Sequence, residues 1–172
     1  MIIDILNYLT RFILLVFFQI VIINNIDLST YVNPYIYVVF IIGLPYNTKP
    51  WIVLVLSLLL GMTMDSFSSL PGPHIAATVL MGYFRRFYLI FSTNKDDLST
   101  KIEPSISTKG PIGFLVYALI MVFIHHFVLF YLEAFSFNQF FSTLARVFFS
   151  TIFTILLIGL GQLLFYRIAK KA

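Results

Sequence analysis

Six apolar runs separated by short polar segments limit this chain to very few folds. A helix needs about 20 apolar residues to cross the ~30 Å hydrocarbon core of a bilayer, and several of the runs reach or approach that length. Of the 172 residues 60% are apolar and 10% are charged, whereas a soluble domain carries about 25% charged residues. The sequence therefore predicts an all-α membrane protein, a compact bundle of about six transmembrane helices in a single domain. The predicted spans are about 5–23, 34–44, 50–64, 74–90, 112–132 and 140–166.

The second run, 34–44, is the shortest. Pro34 suits the first turn of a helix, and Gly43-Leu44-Pro45 ends it. A short hairpin or a re-entrant pair in place of the second and third spans stays open as an alternative.

Basic residues predict the orientation, because they accumulate in short cytoplasmic loops. Nine of them lie at or within the connections that follow the second, fourth and sixth runs and none lies in the other connections, while Arg11 and Arg146 are assigned to spans. Both termini and the polar segment 92–110 are therefore expected in the cytoplasm, with 92–110 as a flexible linker. The formal charge of +4 has no cluster that would favour nucleic acid. The nine are Lys49, Arg85, Arg86, Lys95, Lys101, Lys109, Arg167, Lys170 and Lys171.

An acid, a Pro-Gly-Pro turn and a histidine separate the third and fourth runs. Asp65 ends one helix, residues 71–73 break it, and His74 opens the next. Ser66 or Ser68 would complete a Ser-His-Asp set, but no nucleophile elbow or oxyanion hole accompanies them. The segment therefore predicts a structural or docking feature and no catalytic residue.

Other polar residues within the spans recur at helical spacing and are interpreted as helix-packing seams, with a substrate pathway as the alternative. The stripes are Asn7, Arg11 and Gln19 in the first span, His74, Thr78, Gly82 and Arg85 or Arg86 in the fourth, and Ser142, Arg146, Ser150, Thr154 and Gln162 in the sixth.

Charges inside the spans need partners or a route to water. Asp65 is expected to pair with Arg146, with snorkelling of Arg146 to the outer surface as the alternative. Arg11 is expected to extend towards the cytoplasmic headgroups.

No metal or cofactor is expected. Cysteine is absent, which excludes thiolate ligands. Adjacent helical residues point about 100° apart, so His125 and His126 cannot readily share one ion. His125 is expected to hydrogen-bond within the bundle, and His126 is expected to reach the outer interface.

Four segments within 34–86, about a third of the chain, form a recognisable pattern. They are the Pro34-led second span, Gly61-Met62-Thr63-Met64-Asp65-Ser66, Leu70-Pro71-Gly72-Pro73-His74 and Gly82-Tyr83-Phe84-Arg85-Arg86. In these segments the chain resembles the MreD family, the small membrane subunits of the bacterial rod-shape machinery. A Pro-Gly-Pro turn stands where a more flexible glycine-rich turn is usual in that family.

The resemblance implies a non-enzymatic, multi-pass protein of the bacterial cytoplasmic (inner) membrane. Its implied partners are MreC, the peptidoglycan polymerase RodA with its penicillin-binding transpeptidase, and the actin-like MreB filament. Asp65 and His74 would anchor an outer docking end, while Arg85, Arg86 and segment 92–110 would face cytoplasmic components.

Two other functions stay open. A substrate-binding subunit of a vitamin-type uptake transporter would need a central pocket with convergent polar or aromatic groups. A membrane-embedded hydrolase would need Ser66 or Ser68 as an essential nucleophile.

Overall fold

The computed structural model describes residues 2–26, 29–135 and 137–171, and this part of the chain is helical and without strands. The all-α prediction is therefore confirmed. The helices are α1 (Ile2–Val21), α2 (Val39–Ile42), α3 (Pro50–Asp65), α4 (Pro73–Ser92), α5 (Lys95–Leu98), α6 (Ile106–Ala134) and α7 (Phe140–Lys171), with 3₁₀ turns at Ile23–Asn25, Ile36–Val38 and Phe137–Gln139.

Three helical stretches are long and apolar enough to cross a membrane, Ile5–Asn25, Ile106–Ala134 and Phe140–Leu164. The helix Pro50–Asp65 is apolar but shorter. These helices indicate a membrane protein, while the number of spans stays a prediction.

Helices α3 and α4 form an antiparallel hairpin whose backbones lie very close together. A Cβ atom added at Gly61 would lie 2.5 Å from Thr78 Oγ1 and 2.6 Å from the Cα of Ile75, and one at Gly82 would collide with Ser57 Oγ. Thr78 Oγ1 also donates to the Ser57 carbonyl at 2.9 Å. Small residues at helix interfaces permit this approach, so two glycines of the predicted motif are packing residues.

The remaining long helices differ in burial. Helix α6 packs between α4 and α7. In its most apolar stretch 44% of the residues are buried, against 11% in the stretch that contains most of α1. Helix α6 is interrupted at Gly110, whose φ of 73° is accessible mainly to glycine. The core therefore lies among α3, α4, α6 and α7 and includes buried residues between 37 and 46, with α1 at its edge.

The predicted second span is a short, buried segment. Its helical part, Ile36–Val38 followed by Val39–Ile42, extends only about 12 Å, too short to cross a bilayer as a helix. Tyr37, Val38 and Ile41 are fully buried. We call residues 33–45 the return segment.

Side chains from other helices replace the backbone hydrogen bonds that the return segment lacks. Gln19 accepts from the Ile36 N–H at 2.8 Å, and Thr154 accepts from the Tyr35 N–H at 3.2 Å. Irregular backbone at membrane depth is tolerated only where protein or water satisfies it. This explains why the segment does not need to be a continuous helix.

The chain connections group at two ends of the bundle. The loop 29–35, the turn 66–72 and the junction of α6 with α7 border one cavity, at what we call the Asp65 end. The turn 43–49 contacts both Arg85 and segment 99–105 at the opposite end, which we call the Arg85 end.

Segment 92–110, predicted as a flexible linker, is in part attached to the bundle by hydrogen bonds. The Tyr46 N–H donates to the Ile102 carbonyl at 3.0 Å, and the Asn47 N–H donates to the Thr100 carbonyl at 3.1 Å. Arg11, predicted to extend towards the cytoplasmic headgroups, pairs with Glu103 of this segment at 2.8 Å. These contacts join residues that lie far apart in the sequence, and hydropathy alone does not reveal them.

Candidate functional site

Asp65 binds the start of helix α4 rather than another charged side chain. Its Oδ2 accepts from the N–H groups of Gly72 at 2.9 Å and Ile75 at 3.1 Å, and its Oδ1 accepts from the His74 N–H at 3.0 Å. The first N–H groups of a helix have no intrahelical partner and carry partial positive charge, so a carboxylate is stabilised there. Asp65 is only 6% exposed and acts as the cap of α4.

The Pro71-Gly72-Pro73 sequence gives the turn the shape that this cap requires. Gly72 has a φ of 115°, which glycine tolerates far better than other residues. Pro73 occupies the first position of α4, where its missing N–H is not needed. The turn thereby directs the Gly72 and His74 N–H groups towards Asp65.

Arg146 pairs with Glu133, so the predicted Asp65–Arg146 pair is wrong. The Nη1 atom of Arg146 lies 2.9 Å from Glu133 Oε2, and its guanidinium carbon lies 4.0 Å from the centre of the Phe130 ring. Asp65 instead uses three of its roughly four acceptor sites on the backbone N–H groups of Gly72, His74 and Ile75.

A buried tyrosine connects two histidines. The Tyr37 hydroxyl lies 2.8 Å from His74 Nδ1 and 2.7 Å from His125 Nε2, and all three residues are buried. A hydroxyl has one proton, so Tyr37 donates to one imidazole and accepts from the other. The ring of Tyr35 packs edge-on against His74 at 5.2 Å. The expected hydrogen bond of His125 within the bundle is confirmed.

His126 is fully buried, so the prediction that it reaches the interface is wrong. Its Nδ1 lies 2.8 Å from the Val122 carbonyl and its Nε2 lies 3.4 Å from Thr154 Oγ1. Because a carbonyl only accepts, Nδ1 carries a proton. Helix α7, which supplies Thr154, covers the face of α6 on which His126 lies.

The candidate Ser-His-Asp set does not assemble. Ser66 Oγ donates to the Met62 carbonyl at 2.8 Å, and Ser68 Oγ contacts the Leu70 backbone at 3.3 Å. Asp65 meets the backbone of His74, not its ring. Among the described residues no group of three His, Cys, Asp or Glu side chains is arranged to hold a metal ion.

Arg85 is buried at the opposite end of α4, and this contradicts its predicted role towards cytoplasmic components. It is 3% exposed. Its Nε donates to the Tyr117 hydroxyl at 3.0 Å, and its Nη2 donates to the carbonyls of Leu44, by a short contact, and Pro45, at 3.4 Å. Arg85 therefore donates hydrogen bonds to the last two carbonyls of the return segment. Its neighbour Arg86 is exposed.

A partly open cavity of about 710 Å³ lies at the Asp65 end. Its wall contains Tyr35, His74, Glu133 and Arg146 together with apolar residues from three connections. A second hollow of about 390 Å³, which we call the apolar groove, runs between α1 and α3 and is lined mainly by side chains such as Leu9, Phe12 and Leu59.

Comparison of the chain with known protein families, with curated proteins and with solved structures finds no match. The geometry of the site is therefore the basis for inferring its function.

Sequence reasoning singled out Gly61, Asp65, Gly72, His74 and Gly82, and the structure brings them together on one hairpin. It missed the phenols of Tyr37 and Tyr117 as hydrogen-bonding residues. A signal for Tyr37 was present, because a tyrosine two residues after Tyr35 in a buried segment needs a polar partner.

Proposed function

We propose that this chain is a non-enzymatic membrane subunit of the bacterial cell-elongation machinery, similar in role to MreD proteins. The observation that supports this function is that the residues of the resemblance form one packed unit. Gly61 and Gly82 permit the close approach of α3 and α4, Asp65 caps α4, and His74 binds Tyr37. Each of these residues stabilises a framework, which suits a protein that holds partners together.

The proposed topology has six crossings, with both termini and segment 92–110 in the cytoplasm of a bacterium. The second crossing is the return segment, which begins beside Ser150 near the Asp65 end and ends at Arg85. The exposed basic residues of segment 92–110 lie at the Arg85 end, in agreement with cytoplasmic exposure.

The absence of cysteine allows a direct test of this topology. Single variants Ser69→Cys and Ser99→Cys would place one exposed thiol at each end. A membrane-impermeant maleimide should label Ser69→Cys in intact spheroplasts and Ser99→Cys only after permeabilisation. The reverse pattern would overturn the orientation, and labelling of both in intact spheroplasts would overturn the number of crossings.

The apolar groove is the proposed contact for a transmembrane helix of MreC or RodA. Leu9 on α1 and Leu59 on α3 are 52% and 49% exposed, so apolar side chains on both walls of the groove stay available. An added helix would bury these side chains by van der Waals packing, the main force between helices in lipid.

The test is co-purification from the native bacterial membrane in mild detergent, with partners identified by mass spectrometry. Recovery of MreC-type and RodA-type proteins would support the function, and their absence from a well-folded preparation would overturn it. Leu59→Trp should reduce the recovery because it fills the apolar groove. Leu163→Trp is the matched control, since Leu163 has a similar exposure, 47% against 49%, and lies on α7.

The cavity supports a second candidate, the substrate-binding subunit of a small-molecule uptake transporter. Its volume of about 710 Å³ falls within the usual range of ligand pockets, roughly 300–1,000 Å³. Co-purification with an ATPase module and accumulation of a solute in cells would favour this function over the first.

A further inference from the structure

The ion pair at the Asp65 end uses only part of its hydrogen-bonding capacity. Arg146 and Glu133 share one contact, Nη1 to Oε2 at 2.9 Å, although their side chains are only 28% and 21% exposed. Arg146 uses one of its five N–H donors in this contact, and no described residue hydrogen-bonds to Glu133 Oε1. Arg146 therefore keeps unused N–H donors, and Glu133 keeps an unused acceptor oxygen. The two residues line the cavity.

Both charges are held in fixed positions. Glu133 and Phe130 lie one turn apart on α6, and the guanidinium of Arg146 stacks over Phe130 at 4.0 Å while it pairs with Glu133. Such contacts restrict the otherwise flexible arginine side chain. A ligand would meet a prearranged cation and anion side by side.

The rest of the cavity wall is uncharged if His74 is neutral. A ligand with only a negative or only a positive group would satisfy one member of the pair and leave the other with a repelled charge beside it. A ligand with both charges close together would satisfy both members. The cavity is also larger than such a head group requires, and Ile23, Met64 and Phe67 offer an apolar wall for the remainder.

We propose that this cavity binds an amphipathic zwitterion, with the anionic group on Arg146 and a primary ammonium group on Glu133. Two sources share this chemistry, a free amino acid with an apolar side chain and the head group of an aminophospholipid. The proposal rests on the geometry of the cavity and does not depend on the scaffolding function.

The experiment uses the full chain in nanodiscs and has two arms. In the first, apolar L-amino acids such as leucine and phenylalanine are titrated calorimetrically, beside their N-acetyl and methyl-ester derivatives. In the second, phosphatidylethanolamine and phosphatidylcholine are compared by native mass spectrometry, because a quaternary ammonium cannot donate a hydrogen bond to Glu133. Binding of the amino acid but neither derivative, or of phosphatidylethanolamine over phosphatidylcholine, is expected and identifies the source.

Two sets of variants test whether the pair is the site. Glu133→Gln and Arg146→Gln should each weaken binding by at least about tenfold, the loss of one charged hydrogen bond. Because these changes also remove a contact between α6 and α7, Ser142→Trp is added, which fills the cavity from an exposed lining position and leaves the pair intact. It should abolish binding, and Ser99→Trp at the Arg85 end should not.

The proposal is overturned if no zwitterion binds in either arm. It is also overturned if the N-acetylated amino acid or phosphatidylcholine binds as well as its counterpart, or if Ser142→Trp binds normally. The partner co-purification is a separate measurement, so failure of this site leaves the scaffolding function untouched.

Discussion

Two buried charges bind at helix α4, Asp65 at its start and Arg85 in its C-terminal half, and they have different structural roles. At the N-terminus, Asp65 accepts three N–H groups from residues seven to ten positions ahead in the chain. In the C-terminal half, Arg85 donates to carbonyls 40 and 41 positions behind it. Asp65 therefore satisfies backbone N–H groups of α4 itself, whereas Arg85 satisfies backbone carbonyls of the return segment.

The comparison shows how a bundle can contain broken helices without exposing backbone groups to lipid. A carboxylate suits orphan N–H groups and a guanidinium suits orphan carbonyls, and each carries a full charge that strengthens the hydrogen bonds it forms. Local capping can be replaced in part by water at a helix end. Water cannot replace Arg85 at the Leu44 and Pro45 carbonyls, because Arg85 and the segment that it binds are almost completely buried.

The largest expected effect is that of Arg85→Met. The change leaves the Leu44 and Pro45 carbonyls and the Tyr117 hydroxyl without their charged donor and should lower the free energy of unfolding by about 4 kcal/mol. Unfolding by SDS titration measures this loss. Arg86→Met is the matched control, because Arg86 is adjacent and exposed, and should stay within about 0.5 kcal/mol of the parent. Equal effects of the two substitutions would refute the role of Arg85.

Asp65→Ala comes next, with an expected loss of about 3 kcal/mol because three backbone donors lose a charged acceptor. Asp65→Asn should lose less, since its amide oxygen still accepts. Hydrogen exchange at the first turn of α4 localises the effect. If Asp96→Ala, at an exposed acid of α5, destabilised the protein as much, the cap would not be the cause.

Gly61→Ala should lower stability by about 2 kcal/mol, because the added methyl group meets the Ile75 backbone at 2.6 Å. By separating α3 from α4 it should also weaken the Asp65 cap, so its effect and that of Asp65→Ala should be less than additive in a double-mutant cycle. Gly161→Ala has open space around its Cβ position and should be neutral or stabilising. Strict additivity of Gly61→Ala with Asp65→Ala would break the proposed link.

Tyr37→Phe has the smallest expected effect, a loss of about 1 kcal/mol, because the hydroxyl between His74 and His125 disappears while the ring is retained. The imidazole NMR signals of both histidines should shift together. Tyr83→Phe, at a half-exposed ring of α4, is the control. A shift of only one histidine would show that the tyrosine does not join them.

The Asp65 end was largely predictable from sequence, because its signals are local. A carboxylate at a helix end, a glycine in a Pro-Gly-Pro turn and a proline at the first helical position each have a meaning within ten residues. The small residues Gly61 and Gly82 were part of the same pattern, although their contacts required the structure. The Arg146–Glu133 pair does not follow from these signals, because the sequence does not show that three backbone N–H groups bind Asp65.

The Arg85 end was not predictable, because its contacts join distant segments. Arg85 beside Arg86 reads as a topology signal, and only the approach of Leu44 and Pro45 turns one of the two arginines inwards. Hydropathy likewise overestimated the helical content of the return segment. Its partners Gln19 and Thr154 lie on helices that the sequence does not place beside it.

The return segment also sets an order for biogenesis. Its Asn33 and Tyr35 N–H groups are satisfied by Ser150 and Thr154, which the ribosome delivers more than a hundred residues later. Until α7 has been synthesised and inserted, these donors have no partner within the bilayer. The nascent chain must therefore keep the return segment in water or bound to an insertase until α7 is in place.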